Sequence, residues 1–168
     1  DAVLEAMNAL EEGKSELEIG EILTKHGQYT NVVTITSFGE RFIKGNLYPT
    51  YRTLEKGDKV ALTVSYRGGL SSRSGYAVDN LTELEEVDPG YFNEVVKPYF
   101  DAYYFWLKNI KIGENAGEFY RKFEEYYPQE KYGWELCPGH LTANEEWLSS
   151  PFYEGSEATV KSGMIFQV

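Results

Sequence analysis

Two amphipathic segments open the chain. In the first, apolar residues recur at helical spacing, at Val3, Leu4, Met7 and Leu10. This pattern predicts a helix that ends at Gly13. Ser15 and Glu18 then form an S-x-x-E capping box, which predicts the start of a second helix that ends near Gly27.

A run rich in β-branched residues follows the helices. Residues 29–38 and 59–66 are dominated by Val, Ile and Thr, so each predicts a strand. The loop between them contains Pro49 and the Gly57-Asp58 turn signal. A Gly68-Gly69 turn then predicts a hairpin whose return strand covers residues 70–78.

The second half again begins with helices. Asp88-Pro89 predicts a helix start, and a long aromatic helix is expected to run to Lys111 with a kink at Pro98. Its aromatic stripe predicts a core face, formed by Tyr99, Tyr103, Trp106 and Ile110. A further helix is expected over residues 114–126, with one face formed by Phe119, Tyr120 and Phe123.

The order of elements predicts the fold class. From Pro128 onward the pattern changes to short strands and loops. Helix pair, three strands, helix pair and strands together predict an α+β fold with a mainly antiparallel sheet. Both halves run from a helix pair into strands, which suggests an internal duplication.

The length, net charge and cysteine content indicate which partners and which cellular compartment to expect. The length of 168 residues fits a single domain, residues 1–168, and the net charge of −11 disfavours nucleic acid and anionic membranes as partners. No window approaches the roughly 20 apolar residues of a membrane span. Cys137 is the one cysteine, which favours a reducing compartment, so we expect a cytoplasmic protein. The last residues, GMIFQV, have the pattern of a buried strand, so we expect a piece of a longer chain.

Four segments in order resemble the pita-bread family of creatinase, prolidase, aminopeptidase P and methionine aminopeptidase. They are GKSELEIGEIL, YPTYRTLEKGDKVALTVSYRGG, PGHLTANEEW and VKSGMIFQV. The resemblance implies a curved, mainly antiparallel sheet backed by helices, in two pseudo-symmetric halves. It also implies a two-metal aminopeptidase site, for which the family supplies two Asp, one His and two Glu.

Most of that ligand set is missing here when the family's positions are carried over. The first aspartate falls on Thr63, and the second falls on Ser72 or Ser74, depending on a small gap in the hairpin. The histidine ligand corresponds to His140, which is retained, and the first glutamate would follow Val168. Neutral hydroxyls cannot bridge two dications that lie about 3.5–4 Å apart, so we expect no metal pair. An inward-pointing Arg73 would oppose a cation further.

The family's substrate-side histidines are also replaced. They fall on Asn46 and Trp147, and neither side chain can exchange protons near neutral pH as histidine does. His140 has two interpretations. It is either a core or loop histidine held by backbone bonds after the Pro138-Gly139 turn, which we favour, or a residual ligand.

Three functions remain open. The leading hypothesis is a catalytically inactive relative of the Xaa-Pro peptidases that binds a peptide or a small polar ligand, with His140, Thr63, Ser72, Asn46 and Trp147 as the candidate binding residues. It would need no cofactor, and a homodimer is an open alternative for its assembly. The second is a working metallopeptidase with two Mn, Co or Zn ions, completed by residues outside this chain. The third is metal-free chemistry of the creatinase type, with His140 as the base.

Overall fold

Helices alternate with antiparallel strands in the computed structural model of the chain, which describes residues 1–44, 47–142 and 149–168. The chain divides into two units, Asp1–Pro89 and Gly90–Val168. The α+β class and the antiparallel pairing predicted from the sequence are confirmed. Among the described residues, no helix is both long and apolar enough to cross a membrane.

The first unit packs helices against a three-stranded sheet with the order β1-β2-β3. Its elements are α1 (Ala2–Asn8), α2 (Glu16–Thr24), β1 (Ile35–Phe38), a 3-10 helix (Gly39–Lys44), β2 (Lys59–Tyr66), β3 (Gly69–Tyr76) and α3 (Leu81–Val87). Alternate residues of β2 face the helices, and Val60, Leu62 and Val64 are buried there. The core of this unit therefore lies between the sheet and α1 and α2.

The second unit is mainly helical and has an aromatic core. Its elements are a π-helical turn (Phe92–Val96), α4 (Lys97–Asn109), α5 (Ala116–Tyr126), α6 (Gln129–Tyr132), β4 (His140–Leu141) and β5 (Phe166–Gln167). The two short strands pair antiparallel. Trp106 lies at the centre of the core, with its ring edge-on to those of Phe119, Phe152 and Phe166.

The predicted capping box is present at the start of α2. The Ser15 hydroxyl accepts the backbone N–H of Glu18 at 3.2 Å, and the Glu18 carboxylate accepts the backbone N–H of Ser15 at 2.8 Å. The hydrogen bonds that the Ser15 N–H and hydroxyl donate to the carboxylate lower the pKa of Glu18. The sequence therefore located this helix start correctly.

A repeated pattern of backbone bonds supports the internal duplication. In the first unit, the N–H of Gly13 donates to the carbonyl of Leu54, and the N–H of Leu54 donates back to the carbonyl of Lys14. In the second unit, Gly113, Val160 and Glu114 make the same two bonds in the same order. The bridges that follow, Ser15 to Thr53 and Asn115 to Thr159, each join a helix cap to the segment behind it.

The prediction for residues 80–98 was partly wrong. Asp88-Pro89 does not start a helix; Asp88 instead follows the end of α3, whose N-cap is Asn80. The sequence missed α3 because its only buried residue is Leu84, so it has no apolar stripe. Pro98 lies in the first turn of α4, directly after the π-helical turn, at a position where a helix tolerates the missing N–H of proline; the kink expected there stays a prediction.

Two predicted apolar faces were also partly wrong. In α4, Tyr99 and Tyr103 are exposed and only Trp106 of the aromatic stripe is buried. In α1, Leu4 and Met7 are exposed, whereas the small residues Ala2 and Ala6 are buried. In both helices the buried face contains alanines, Ala2 and Ala6 in α1 and Ala102 in α4, which hydrophobicity alone does not identify as core positions.

Strand lengths differ from the prediction as well. Only Ile35–Phe38 of the predicted strand 29–38 is regular, and the earlier part contacts β2 through a bridge between Thr30 and Tyr66 and through hydrogen bonds between Asn31 and Ser65. The strands β2 and β3 agree with the prediction to within two residues. In the second unit, the predicted final strand is regular only over Phe166–Gln167.

Replacing Gly117 by alanine is expected to destabilise the protein by about 1–3 kcal/mol, because the added carbon would overlap a backbone. A Cβ at Gly117 would lie 2.5 Å from the carbonyl oxygen of Ser156. Gly75 is the matched control for crowding, since a Cβ there meets nothing within 4 Å and its φ does not lie in the left-handed region. Urea unfolding of both variants measures the difference. Equal or smaller loss for Gly117→Ala than for Gly75→Ala would contradict the prediction.

Candidate functional site

Thr63 and Ser72 occupy directly opposed positions on neighbouring strands. Thr63 of β2 pairs with Ser72 of β3 in the antiparallel register. Their side chains meet, since the Thr63 hydroxyl donates to the Ser72 hydroxyl at 2.9 Å. Ser74, the other residue considered for the second position, pairs with Ala61 instead. The structure thus brings together the pair that the sequence placed at the family's two aspartate positions.

Neither Thr63 nor Ser72 carries a charge, and the sheet around them supplies no carboxylate. Thr63 and Ser72 lie on the face opposite to that of the buried Leu62 and Val64, because side chains alternate along a strand. The three strands β1, β2 and β3 contain no aspartate or glutamate. Hydroxyl oxygens of Thr and Ser are neutral at physiological pH, and two of them cannot offset the repulsion between neighbouring dications. Thr63 and Ser72 by themselves therefore do not fit a metal pair.

Arg73 does not point toward the pair. It is exposed and pairs with Leu62, so it lies on the opposite face of the sheet from Ser72 and Thr63. Its guanidinium donates to the Ser72 carbonyl at 2.6 Å. The condition under which Arg73 would oppose a bound cation is therefore not met.

His140 lies in the second unit and is almost fully buried. Only 7% of its surface is exposed, and it pairs with Gln167 between β4 and β5. Its Nδ1 atom lies 3.3 Å from the carbonyl oxygen of Leu141. The preceding Gly139 has a φ of +128°, and the ring nitrogen of Trp106 donates to the carbonyl of Pro138. These contacts agree with the interpretation of His140 as a histidine held within a turn and a short strand.

Two of the predicted site residues, Asn46 and Trp147, lie outside the described residues. Within residues 1–44, 47–142 and 149–168, no three His, Cys, Asp or Glu side chains group as metal ligands would. Of the candidate residues, the structure therefore describes Thr63 and Ser72 within the first unit and His140 within the second unit.

A pocket in the second unit, whose lining includes several charged side chains, was not predicted from the sequence. It has a volume of about 500 Å³ and is formed by the first turns of α5 and the loop near Ser156. Tyr120, Arg121, Glu124 and Glu154 line it. Burial, together with the charges of Glu124 and Glu154, raises the pKa of Tyr120. Because the pocket lies between α5 and a loop that follows much later in the chain, spacing in the sequence gave no signal for it.

Solved peptidase structures share this fold. The chain superimposes on an Xaa-Pro dipeptidase from Bacillus anthracis with a TM-score of 0.69 and 20% identity, covering 97% of this chain and 47% of that one. For a prolidase from Pyrococcus furiosus the TM-score is 0.65 and the identity 24%, with 98% and 50% covered. For an X-Pro aminopeptidase from Thermotoga maritima they are 0.72 and 18%, with 98% and 48% covered.

The likeness is one of structure. None of the protein-family models and none of the curated proteins matches this sequence. The chain spans about half the length of the solved structures that it matches. Those structures align along nearly the whole of this chain, through both units. The chain therefore has the pita-bread fold of these Xaa-Pro peptidases.

Proposed function

We propose that this chain is a non-catalytic relative of the Xaa-Pro peptidases, which binds a peptide or a small polar ligand without a metal pair. One observation carries the proposal: Thr63 and Ser72 are hydrogen-bonded hydroxyls at the two positions where the family resemblance expects aspartates. Each of the two hydroxyls can accept a hydrogen bond from a polar ligand or donate one to it. Neither can supply the negative charge that holds two divalent cations together.

A second candidate is a metallopeptidase whose ligands come partly from residues outside this chain. It is favoured by the fold of the matched peptidases and by the retention of His140. The two candidates differ in charge at the hairpin, because a working pair would need carboxylates to replace the neutral Thr63 and Ser72. Metal content and peptide cleavage therefore distinguish them.

The decisive measurement is metal binding by the full-length protein. After equilibrium dialysis against Mn²⁺, Co²⁺ or Zn²⁺, we expect well below two bound ions per chain. Xaa-Pro dipeptides are expected to bind without being cleaved, as followed by calorimetry and by release of proline. Two ions per chain together with metal-dependent cleavage would establish the second candidate instead.

The double variant Thr63→Asp/Ser72→Asp is expected to gain a response to metal that the wild type lacks. Two carboxylates directly opposed across the strands repel each other, so without metal the melting temperature should fall. Mn²⁺ should restore part of the loss, because a cation between the carboxylates removes the repulsion.

Ser71→Asp is the matched control for this experiment. Ser71 is exposed on the same strand and pairs with Val64, so its side chain lies on the other face. Its melting temperature should not respond to Mn²⁺. An equal Mn²⁺ response in the control and the double variant would show that the Thr63–Ser72 position has no special relation to a cation.

A further inference from the structure

An aromatic surface on α4 is largely uncovered by the described residues, although the Lys108 ammonium lies over the Tyr104 ring at 6.0 Å from its centre. It consists of the exposed side chains Tyr99, Phe100, Tyr103, Tyr104 and Leu107, which we call the α4 stripe. Phe100 is 60% exposed and Tyr104 is 65% exposed. The other side of the same helix, with Ala102 and Trp106, is buried in the core of its unit. Contiguous exposed apolar surface of this kind usually marks an interaction site.

The spacing of the α4 stripe suits a second helix. Phe100, Tyr103, Tyr104 and Leu107 stand at i, i+3, i+4 and i+7, which is the repeat that forms a seam between two packed helices. Tyrosines at such positions add large contact area while their hydroxyls reach the solvent. The partner should therefore present a helix of similar apolar character.

We propose that the partner is a second copy of this chain, bound through its own α4 stripe in an antiparallel, two-fold symmetric contact. A two-fold axis makes the same patch face itself, so the surface must be self-complementary. With the axis beside Tyr103 and Tyr104, Phe100 of each copy faces Leu107 of the other. The aromatic ring then packs against an aliphatic side chain at both ends of the contact.

Charges along the edge of the α4 stripe agree with this arrangement. Asp101 and Lys108 lie on the same flank of the helix, since residues seven apart are almost two full turns apart. In the antiparallel contact, Asp101 of one copy lies about 3 Å along the axis from Lys108 of the other, at a rise of about 1.5 Å per residue. The flank therefore forms two symmetric ion pairs at the rim of the contact. A membrane is a poor alternative, because the chain carries a net charge of −11.

The area is sufficient for a weak but specific dimer. Each large side chain of the α4 stripe can bury about 100 Å² more, given that an aromatic residue buries about 150–250 Å² in full. The contact then buries about 500 Å² per copy and about 1,000 Å² in total, at the lower limit for a specific interface. We therefore expect reversible dimerisation in the micromolar range. The inference does not depend on the proposed function.

Sedimentation of the full-length protein over a micromolar to millimolar concentration series tests the proposal. The wild type should dimerise, and Phe100→Glu should weaken the dimer at least about tenfold by placing a charge at the seam. Ile43→Glu is the matched control, because Ile43 is 77% exposed but lies outside the α4 stripe. It should leave the dimer unchanged. Circular dichroism verifies that each variant is folded.

Charge reversal gives a test that does not rely on the seam residues. Asp101→Lys and Lys108→Asp should each weaken the dimer, because each creates like-charge pairs, and the double reversal should restore it. A wild type that stays monomeric throughout the series would overturn the proposal. It would equally be overturned by a dimer that survives Phe100→Glu or in which the double reversal behaves as the sum of the two single ones.

Discussion

Replacing Glu16 by alanine is expected to lower the free energy of unfolding by about 3–5 kcal/mol, because it leaves buried hydrogen-bond donors without an acceptor. Glu16 is fully buried at the start of α2. Its Oε1 accepts the backbone N–H of Phe38 and Nε of Arg41, each at 2.9 Å. Its Oε2 accepts the backbone N–H of Thr50 at 2.9 Å and the Thr50 hydroxyl at 2.7 Å.

The position of these donors explains the size of the effect. Phe38 ends β1, Arg41 lies in the 3-10 helix, and Thr50 belongs to the loop before β2. A single carboxylate therefore fixes three separate segments to the first turn of α2. Alanine would remove all of these bonds at once, and the Phe38 N–H could not reach water as readily as the exposed parts of Arg41.

Glu18→Ala is the matched control for Glu16→Ala. Glu18 lies two residues further along α2 and is used only in the exposed capping box, so its loss should cost about 1 kcal/mol. Urea unfolding followed by circular dichroism measures both variants. A loss for Glu16→Ala that is no larger than that for Glu18→Ala would contradict the role assigned to the buried carboxylate.

Trp106→Ala should cost a similar amount, about 3–5 kcal/mol, by opening a cavity in the aromatic core of the second unit. The indole contacts three phenylalanine rings, with centroid distances of 5.7 Å to Phe119, 6.1 Å to Phe152 and 5.8 Å to Phe166. Its ring nitrogen also donates to the buried carbonyl of Pro138. We expect amide exchange at the strands β4 and β5 to become faster, because Phe166 and Pro138 both lose a contact.

Trp106→Phe separates packing from hydrogen bonding. Phenylalanine keeps much of the ring volume but leaves the Pro138 carbonyl without a donor, so the expected loss is about 1–3 kcal/mol. Tyr153→Ala removes an exposed aromatic side chain from the same unit and should change stability by less than about 0.5 kcal/mol. A Trp106→Ala variant as stable as Tyr153→Ala would show that the indole is not central to this core.

The sequence predicted the elements whose local signals are strong. The S-x-x-E box located α2, the Val- and Thr-rich run located β2, and the double glycine located the hairpin. These signals arise between residues near each other in the chain, so they can be recognised without knowledge of the fold. The ordered motifs also pointed to the pita-bread fold, which the solved structures confirm although the sequence identity is low.

Signals that depend on contact between distant residues could not be recognised in this way. Helix α3 lacks an apolar stripe, and the core role of α4 was assigned to Tyr99 and Tyr103 although only Trp106 is buried. The buried role of Glu16 was invisible, because its partners lie 22 to 34 residues away. A glutamate in the first turn of a helix otherwise has the pattern of an ordinary exposed residue.

By itself, the sequence predicted hydroxyl residues at the positions where the family resemblance expects two aspartates. Only the tertiary structure decided which serine faces Thr63, and that Arg73 lies on the opposite face. Strand register fixes both, and register is set by backbone pairing between segments whose relative alignment a one-dimensional pattern leaves open.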